Sequence, residues 1–414
     1  MRKIAWYWPI VLLMVTPLVS EFFCPLLTVI AFVLMLGITW GERWSFGVCG
    51  WLVVVFIAYQ SIGLIYTGDR LSTASSALMW FEGLLALLTV SRLITTKDRL
   101  YRCLEWLTLT AGTVGVLAVV VYGLYRTGVC DAMILRLWNP VEIQLCKWLP
   151  FDIRINLTRD FGRAAATFSN PNMLCEYLVM VFPFAACAGL CLPERGAKLR
   201  CRAALIGMTG GIAVTFSRGG YLAVLLFVVF TLFAGRLDKK HIFLAAVSLA
   251  ALVPQTVLDR LSTIGDVGDT AISSRLLTWQ ITVAALPRYW LFGAGAGIMS
   301  SWSLLRANGT SVHHTHNLVL QLLLEGGIIG LGIVAAMGAR MVQVGVKMMA
   351  GHDRDRHLGL ALVGFFITFV THGMFDWPLM CPKAVTIFTM ILALCDVIAR
   401  LYLQGGIRHG RSRR

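Results

Sequence analysis

The stretch "SVHHTHNLVLQLLLEGGIIG", residues 311 to 330, puts His313, His314 and His316 just ahead of an apolar run. Imidazole exchanges a proton near neutral pH, so a histidine here is suited to general-base work on a hydroxyl. Two other readings compete with it. His313 and His316 could ligate zinc, although no cysteine or carboxylate lies at a matching local spacing to complete a tetrahedral set. Alternatively, all three are polar because the helix is emerging from an apolar phase. On the residues alone the three readings stay open.

Other stretches carry chemistry suited to an anion. In "TFSRGGYLA", residues 215 to 223, Ser217, Arg218, Gly219 and Gly220 join two apolar segments. The glycines permit positive φ and close approach. Arg218 offers a planar fork suited to phosphate oxygens; the alternative is an arginine snorkelling to headgroups. "SSRLLTWQITVAAL" reads as an amphipathic surface helix with Ser273 or Ser274 near its cap and Arg275 in its first turn. In "GRAAATFSNPNMLCEYL", Asn170 followed by Pro171 predicts a helix start whose free N–H groups suit an anion. Glu176 follows about one and a half turns inside that segment, either functional or satisfied by a neighbouring helix. "FGAGAG" lacks the preceding strand of a nucleotide fingerprint and is expected to be a flexible turn leading to the histidines. In "THGMFDW", His372 and Asp376 are four apart and share a helical face. A carboxylate orients an imidazole base, so Asp376, or Glu325 on the histidine's own helix, is expected to position His316. The plainer alternative has Asp376 capping the turn before Trp377.

These groups need a scaffold, and composition says which kind. The chain of 414 residues is 58% hydrophobic and 14% charged, too apolar for a soluble globule. The expected fold is all-α, a polytopic membrane protein of about twelve spans. We place them near 4–20, 22–40, 45–66, 76–94, 103–125, 172–192, 203–217, 219–235, 241–258, 318–345, 358–374 and 381–400. The first span lacks a cleavage site after it and is expected to stay in the protein. With both termini in the cytoplasm, 23 of the 36 Lys+Arg fall on inner segments, as the positive-inside rule requires. Two long extracytoplasmic loops, about 126–170 and 259–312, then carry short helices and function. The net charge of +15 is a topology signal and an attraction to anionic lipid, with no nucleic-acid motif beside it. Cys130 and Cys146 share the first loop, bridged or as free thiols. A twelve-span transporter is the alternative class, but the halves differ and the ionisable groups gather at one boundary.

"TFSNPNMLCEYL", "SRGG", "SRLLTWQ" followed by a glycine-rich turn, and "HNLVLQLLLEGGIIG" occur in the order and rough spacing of the O-antigen ligase superfamily. That superfamily includes the lipopolysaccharide ligases and the Wzy-type polysaccharide polymerases. The resemblance is clearest from about Gly162 to Gly330, within a family-like core of about 160–395 in a single transmembrane domain, 1–414. It implies an undecaprenyl-pyrophosphate-linked glycan donor and an acceptor glycolipid or glycan. It also implies an active site on the extracytoplasmic face of the inner membrane, inversion at the transferred sugar, and no cofactor, nucleotide or metal. By motif match, His316, Arg218 and Arg275 look like the family's essential residues. Arg218 and Arg275, with Asn170, Asn172 and Gly219, would hold the pyrophosphate, and Asp376, Asn317, Glu325 and Glu176 would support the site. A ligase, with a lipid A core sugar as acceptor, is the leading expectation and a polymerase the alternative.

Overall fold

The computed structural model describes residues 5–42, 46–138, 162–234, 270–310, 312–351 and 355–404. Among the described residues it is all-helical, with thirteen α-helices and one isolated bridge between Arg136 and Ala166. The helices are α1 (Tyr7–Val15), α2 (Cys24–Ile38), α3 (Val48–Gly63), α4 (Arg70–Leu93), α5 (Lys97–Arg126), α6 (Pro171–Cys191) and α7 (Arg195–Thr215). They continue as α8 (Arg218–Phe233), α9 (Thr270–Tyr289), α10 (Ile298–Ala307), α11 (Leu318–Met349), α12 (Arg356–Gly373) and α13 (Pro382–Ile398).

Eleven of the twelve predicted segments coincide with helices; the ninth, 241–258, lies outside the described residues. Among the described residues, six helical segments are long and apolar enough to cross a membrane, namely Glu21–Ile38, Arg70–Leu93, Lys97–Arg126, Pro171–Cys191, Leu318–Met349 and Pro382–Leu403. Three more, Tyr7–Leu18, Val48–Gly63 and Arg218–Phe233, are apolar but shorter. The count of twelve therefore rested on runs that hydropathy alone does not separate from short or partly polar helices. Helices α6 and α13 are buried almost all round and form the centre of the bundle. By contrast, α2 turns Leu26, Val29, Val33 and Leu34 outward, the pattern of a helix whose solvent is lipid. Small residues let α5 and α7 touch backbone to backbone: a Cβ on Gly115 would lie 2.3 Å from the Gly207 carbonyl oxygen.

The site depends on how helices begin and break. Asn170 caps α6 as predicted, its side chain accepting from the Met173 N–H at 2.9 Å with Pro171 in the first turn. Asn317 caps α11 by accepting from the Val319 and Leu320 N–H groups, each at 3.0 Å. Within α11, Gly327 leaves helical geometry at φ 59°. The glycine-rich turn fills that break: Ile328 N–H donates to the Trp290 carbonyl at 2.7 Å and Ala294 N–H to the Leu324 carbonyl at 2.7 Å. "FGAGAG", expected to be a turn leading to the histidines, is such a turn and is wedged against the break in α11. Helix α9 is already under way at Thr270, so Ser273 and Ser274 lie inside it and do not cap it. Cys146 lies outside the described residues, and the predicted choice between bridge and free thiols falls with it.

Candidate active site

A cavity of about 800 Å³ opens at the end of the bundle where α6, α11 and α13 begin. Asn170, Asn172, His313, His314, His316 and Asp376 line it together with Arg136 and Arg163.

Asp376 sits in the turn between α12 and α13, buried to 8% exposure. Its Oδ1 accepts from three donors: His316 Nδ1 at 3.0 Å, His314 Nε2 at 3.1 Å and the Trp377 N–H at 2.9 Å. Accepting from Nδ1 fixes the His316 tautomer, leaving Nε2 of this half-buried ring as its basic atom. Burial would raise the Asp376 carboxyl, but the bonds and charges of the two imidazoles outweigh it and hold the group well below the usual carboxylate range. Burial holds His314 below the ordinary histidine value against the pull of Asp376, and His316 and Arg275 push the same way as burial. His313 is also lowered, by burial and then by His314, and its ring stacks on Trp302 at 5.5 Å.

The histidine segment is held from several sides. Thr315 N–H donates to Gln321 Oε1 at 2.8 Å, and Trp279 of α9 donates its indole N–H to the Thr315 carbonyl at 2.8 Å. Asn317 Nδ2 reaches the Met374 carbonyl at 3.2 Å, tying the segment to the stretch that carries Asp376. These contacts impose φ 50° on His316, a left-handed conformation rare for a residue with a Cβ. Among the described residues only Ala166 (φ 49°) and Phe216 (φ 51°) share it without being glycine, and both lie in segments beside this site.

The other expected site residues are distributed as follows. Arg275 is half-buried and close enough to His314 to depress its proton affinity. Arg218 is half-buried and opens α8; neither it nor Gly219 lines the cavity. The positive φ expected of the glycines beside Arg218 is borne instead by Phe216, and the glycines serve close approach: a Cβ on Gly219 would lie 3.2 Å from Phe375 Cβ. Asn172 Oδ1 accepts from Arg163 Nη2 at 2.5 Å, while Arg163 Nε donates to the Thr215 carbonyl at 2.7 Å. Glu325 turns away from His316; its carboxylate accepts from Gln321 Nε2 at 2.6 Å and from the Gly297 N–H at 3.2 Å. Glu176 pairs with His372, away from the cavity lining.

Sequence reasoning ranked His314 below His316 and passed over Arg136, Arg163 and Lys383. The buried Lys383 Nζ donates to the Thr167 carbonyl at 2.5 Å, anchoring the loop that leads into α6. A signal existed for two of these: Arg136 and Arg163 fall in the loop that the expected topology puts outside, where the positive-inside rule would deplete cations. His314, His316 and Asp376 also form a set of three potential metal ligands, with one atom from each lying within 4.8 Å of the others. Local spacing could not reveal the carboxylate of that set, which comes from sixty residues away.

No curated protein matches the chain. The family model described as O-antigen ligase matches residues 203–335, which span most of α7, all of α8 to α10 and the first half of α11. The match takes in Arg218, Gly219, Arg275, His316, Asn317 and Glu325, and leaves Asn170, Asn172, Glu176 and Asp376 outside it. Residues 203–335 thus carry a domain match to the O-antigen ligase family, in line with the resemblance of the sequence motifs that fall within them.

Proposed function

We propose that the chain is a membrane glycosyltransferase of ligase type, taking a glycan from an undecaprenyl-pyrophosphate-linked donor and joining it to an acceptor hydroxyl on the extracytoplasmic face. The observation that carries this reading is the Asp376–His316 pair on the cavity wall, with the basic Nε2 of His316 as the remaining ring nitrogen. In the reaction, the acceptor oxygen attacks the anomeric carbon and its proton passes to His316 Nε2. The sugar–oxygen bond to the pyrophosphate breaks, and the electron pair leaves with the phosphate. Asp376 holds the imidazole in the needed tautomer and stabilises the cation that forms. Arg218 and Arg275 bind the pyrophosphate and offset its growing charge. Arg136 and Arg163, which line the cavity beside His316, make it receptive to an anionic lipid. Attack from the face opposite the pyrophosphate inverts the sugar, and a lipid A core sugar is the acceptor.

The test is transfer by purified protein in detergent, given one lipid-linked oligosaccharide and either a core glycolipid or a second lipid-linked unit. Product on the core glycolipid supports the ligase, and chain growth on the second unit makes the enzyme a polymerase. No product on either, with solute movement across reconstituted vesicles, overturns both for a transporter. The clustered His314, His316 and Asp376 favour one second reading, a divalent-ion site at the same place. Transfer abolished by a chelator and restored by zinc would establish it in place of the base.

A further inference from the structure

A second buried histidine lies one helical turn before Asp376. His372 Nδ1 is in close contact with Glu176 Oε2, and each side chain is 2% exposed. The contact brings a carboxylate oxygen against a ring nitrogen inside the protein. The other ring nitrogen, Nε2, lies 3.3 Å from the Ser217 hydroxyl. Ser217 is the residue immediately before Arg218, and its carbonyl accepts the Tyr221 N–H at 3.1 Å, closing the first turn of α8. Three helices thus converge on this turn: Glu176 from α6, His372 from α12 and Ser217 from the start of α8.

Two further observations show that the turn is seated to fine tolerance. A Cβ on Gly220 would lie 2.1 Å from Cys175 Sγ, so only glycine lets α8 settle beside the neighbour of Glu176. Phe216, just before Ser217, is forced to φ 51°, a conformation that persists only where surrounding contacts determine it. Stability alone does not explain the polar choice. A buried ion pair is often no better than an apolar pair of similar volume, and Glu176 Oε1 has no hydrogen-bond partner among the described residues. What an apolar pair would lack is a directed contact to the Ser217 hydroxyl. The same segment, 372–376, therefore carries the contact to the arginine turn at one end and the contact to the histidine base at the other.

We propose that Glu176 and His372 are positioning residues: through the Ser217 hydroxyl they fix the first turn of α8 so that Arg218 meets the phosphate of the lipid-linked donor. This rests on the reading of Arg218 as a donor-holding residue. The test is a double-mutant cycle on the purified full chain. Ser217→Ala and His372→Gln are each made in the native protein and in Arg218→Ala, and donor KM and kcat are measured apart. In the native background both should raise donor KM roughly tenfold, the scale of one buried bond involving a charged group. With Arg218 already removed, neither should add to the loss. Equal effects in the two backgrounds, or an unchanged donor KM, would overturn the brace while leaving the arginine assignment intact. Native donor use in Arg218→Ala itself would remove the underlying assignment and the brace with it. Should His372→Gln fail to fold, Ser217→Ala, which lacks a single hydroxyl, carries the test alone.

Discussion

Two buried carboxylates in this molecule are solved in opposite ways. Glu82, in the middle of the bundle, accepts from the Thr386 hydroxyl at 3.2 Å and from the Thr28 hydroxyl and the Cys24 thiol at 3.3 Å each. All three donors are ordinary neutral groups on α2 and α13, and the cluster lines neither of the molecule's two described pockets. Asp376 instead collects two imidazoles on one oxygen, beside a cavity and next to a backbone held in left-handed geometry. Burial and a low dielectric are common to both, so burial does not mark a reactive site. The marks are a partner that exchanges protons near neutral pH, access from a cavity, and local strain that the surroundings maintain.

The contrast can be broken or sharpened by substitution. The largest effect should come from His316→Ala, with transfer down about 10²-fold or more while donor binding persists; steady-state turnover and a separate donor-binding measurement check this. Asp376→Asn should follow, with a loss of at least about tenfold in kcat, because the amide can present the wrong group to Nδ1. A carboxylate that only capped the turn before Trp377 would lower stability and leave kcat alone. Arg218→Lys and Arg275→Lys keep the charge but lose the planar fork, and donor KM should rise several-fold at both, by roughly 1 kcal/mol each. Lysine as good as arginine at both sites would favour generic headgroup attraction.

Acidification acts on His314 and on Asp376 in different pH ranges. Burial depresses the His314 proton affinity, so the unfolded chain protonates first, from about pH 6.5 downward, and stability declines as pH falls below that value. The Asp376 carboxylate, held low in the folded state, keeps its contribution until the pH falls below about 4. Thermal melts of the wild type and His314→Asn between pH 7 and 5 should show the acid slope flattened in the variant. The smallest functional effect belongs to Glu82→Gln, which should keep transfer within about twofold and lose on the order of 1 kcal/mol of stability. A large loss of kcat there would erase the distinction between the two carboxylates.

The helices were legible because apolar length and capping residues are local signals: Asn170 and Pro171 start α6 where adjacent letters say they must. The number of spans was less legible, since α7 and α12 are helices of spanning length that do not stand among the six clearly apolar segments. The site was legible only as parts. His316 and Arg275 could be singled out by type and setting, and Asp376 as a carboxylate expected beside His316; its second contact, to His314, had no local signal because the oxygen comes from another helix pair. Helical periodicity put His372 and Asp376 on one face, yet the structure turns them to different partners, because the helix ends at Gly373 and the chain changes direction between them. Glycine-rich stretches were legible in part. In "SRGG" the expected close approach is made, to the side chains of Phe375 and Cys175, whereas Gly293, Gly295 and Gly297 of "FGAGAG" use their freedom for positive φ.

The central claim is a single displacement at the anomeric carbon, driven by an acceptor hydroxyl that His316 deprotonates. The most direct measurement is the anomeric configuration of the new linkage, read by NMR on product made from a lipid-linked donor of known configuration. The account predicts inversion in every product molecule, with product from His316→Ala down about 10²-fold or more. Retention of configuration would contradict it, because it requires a covalent glycosyl intermediate that a base at His316 does not supply.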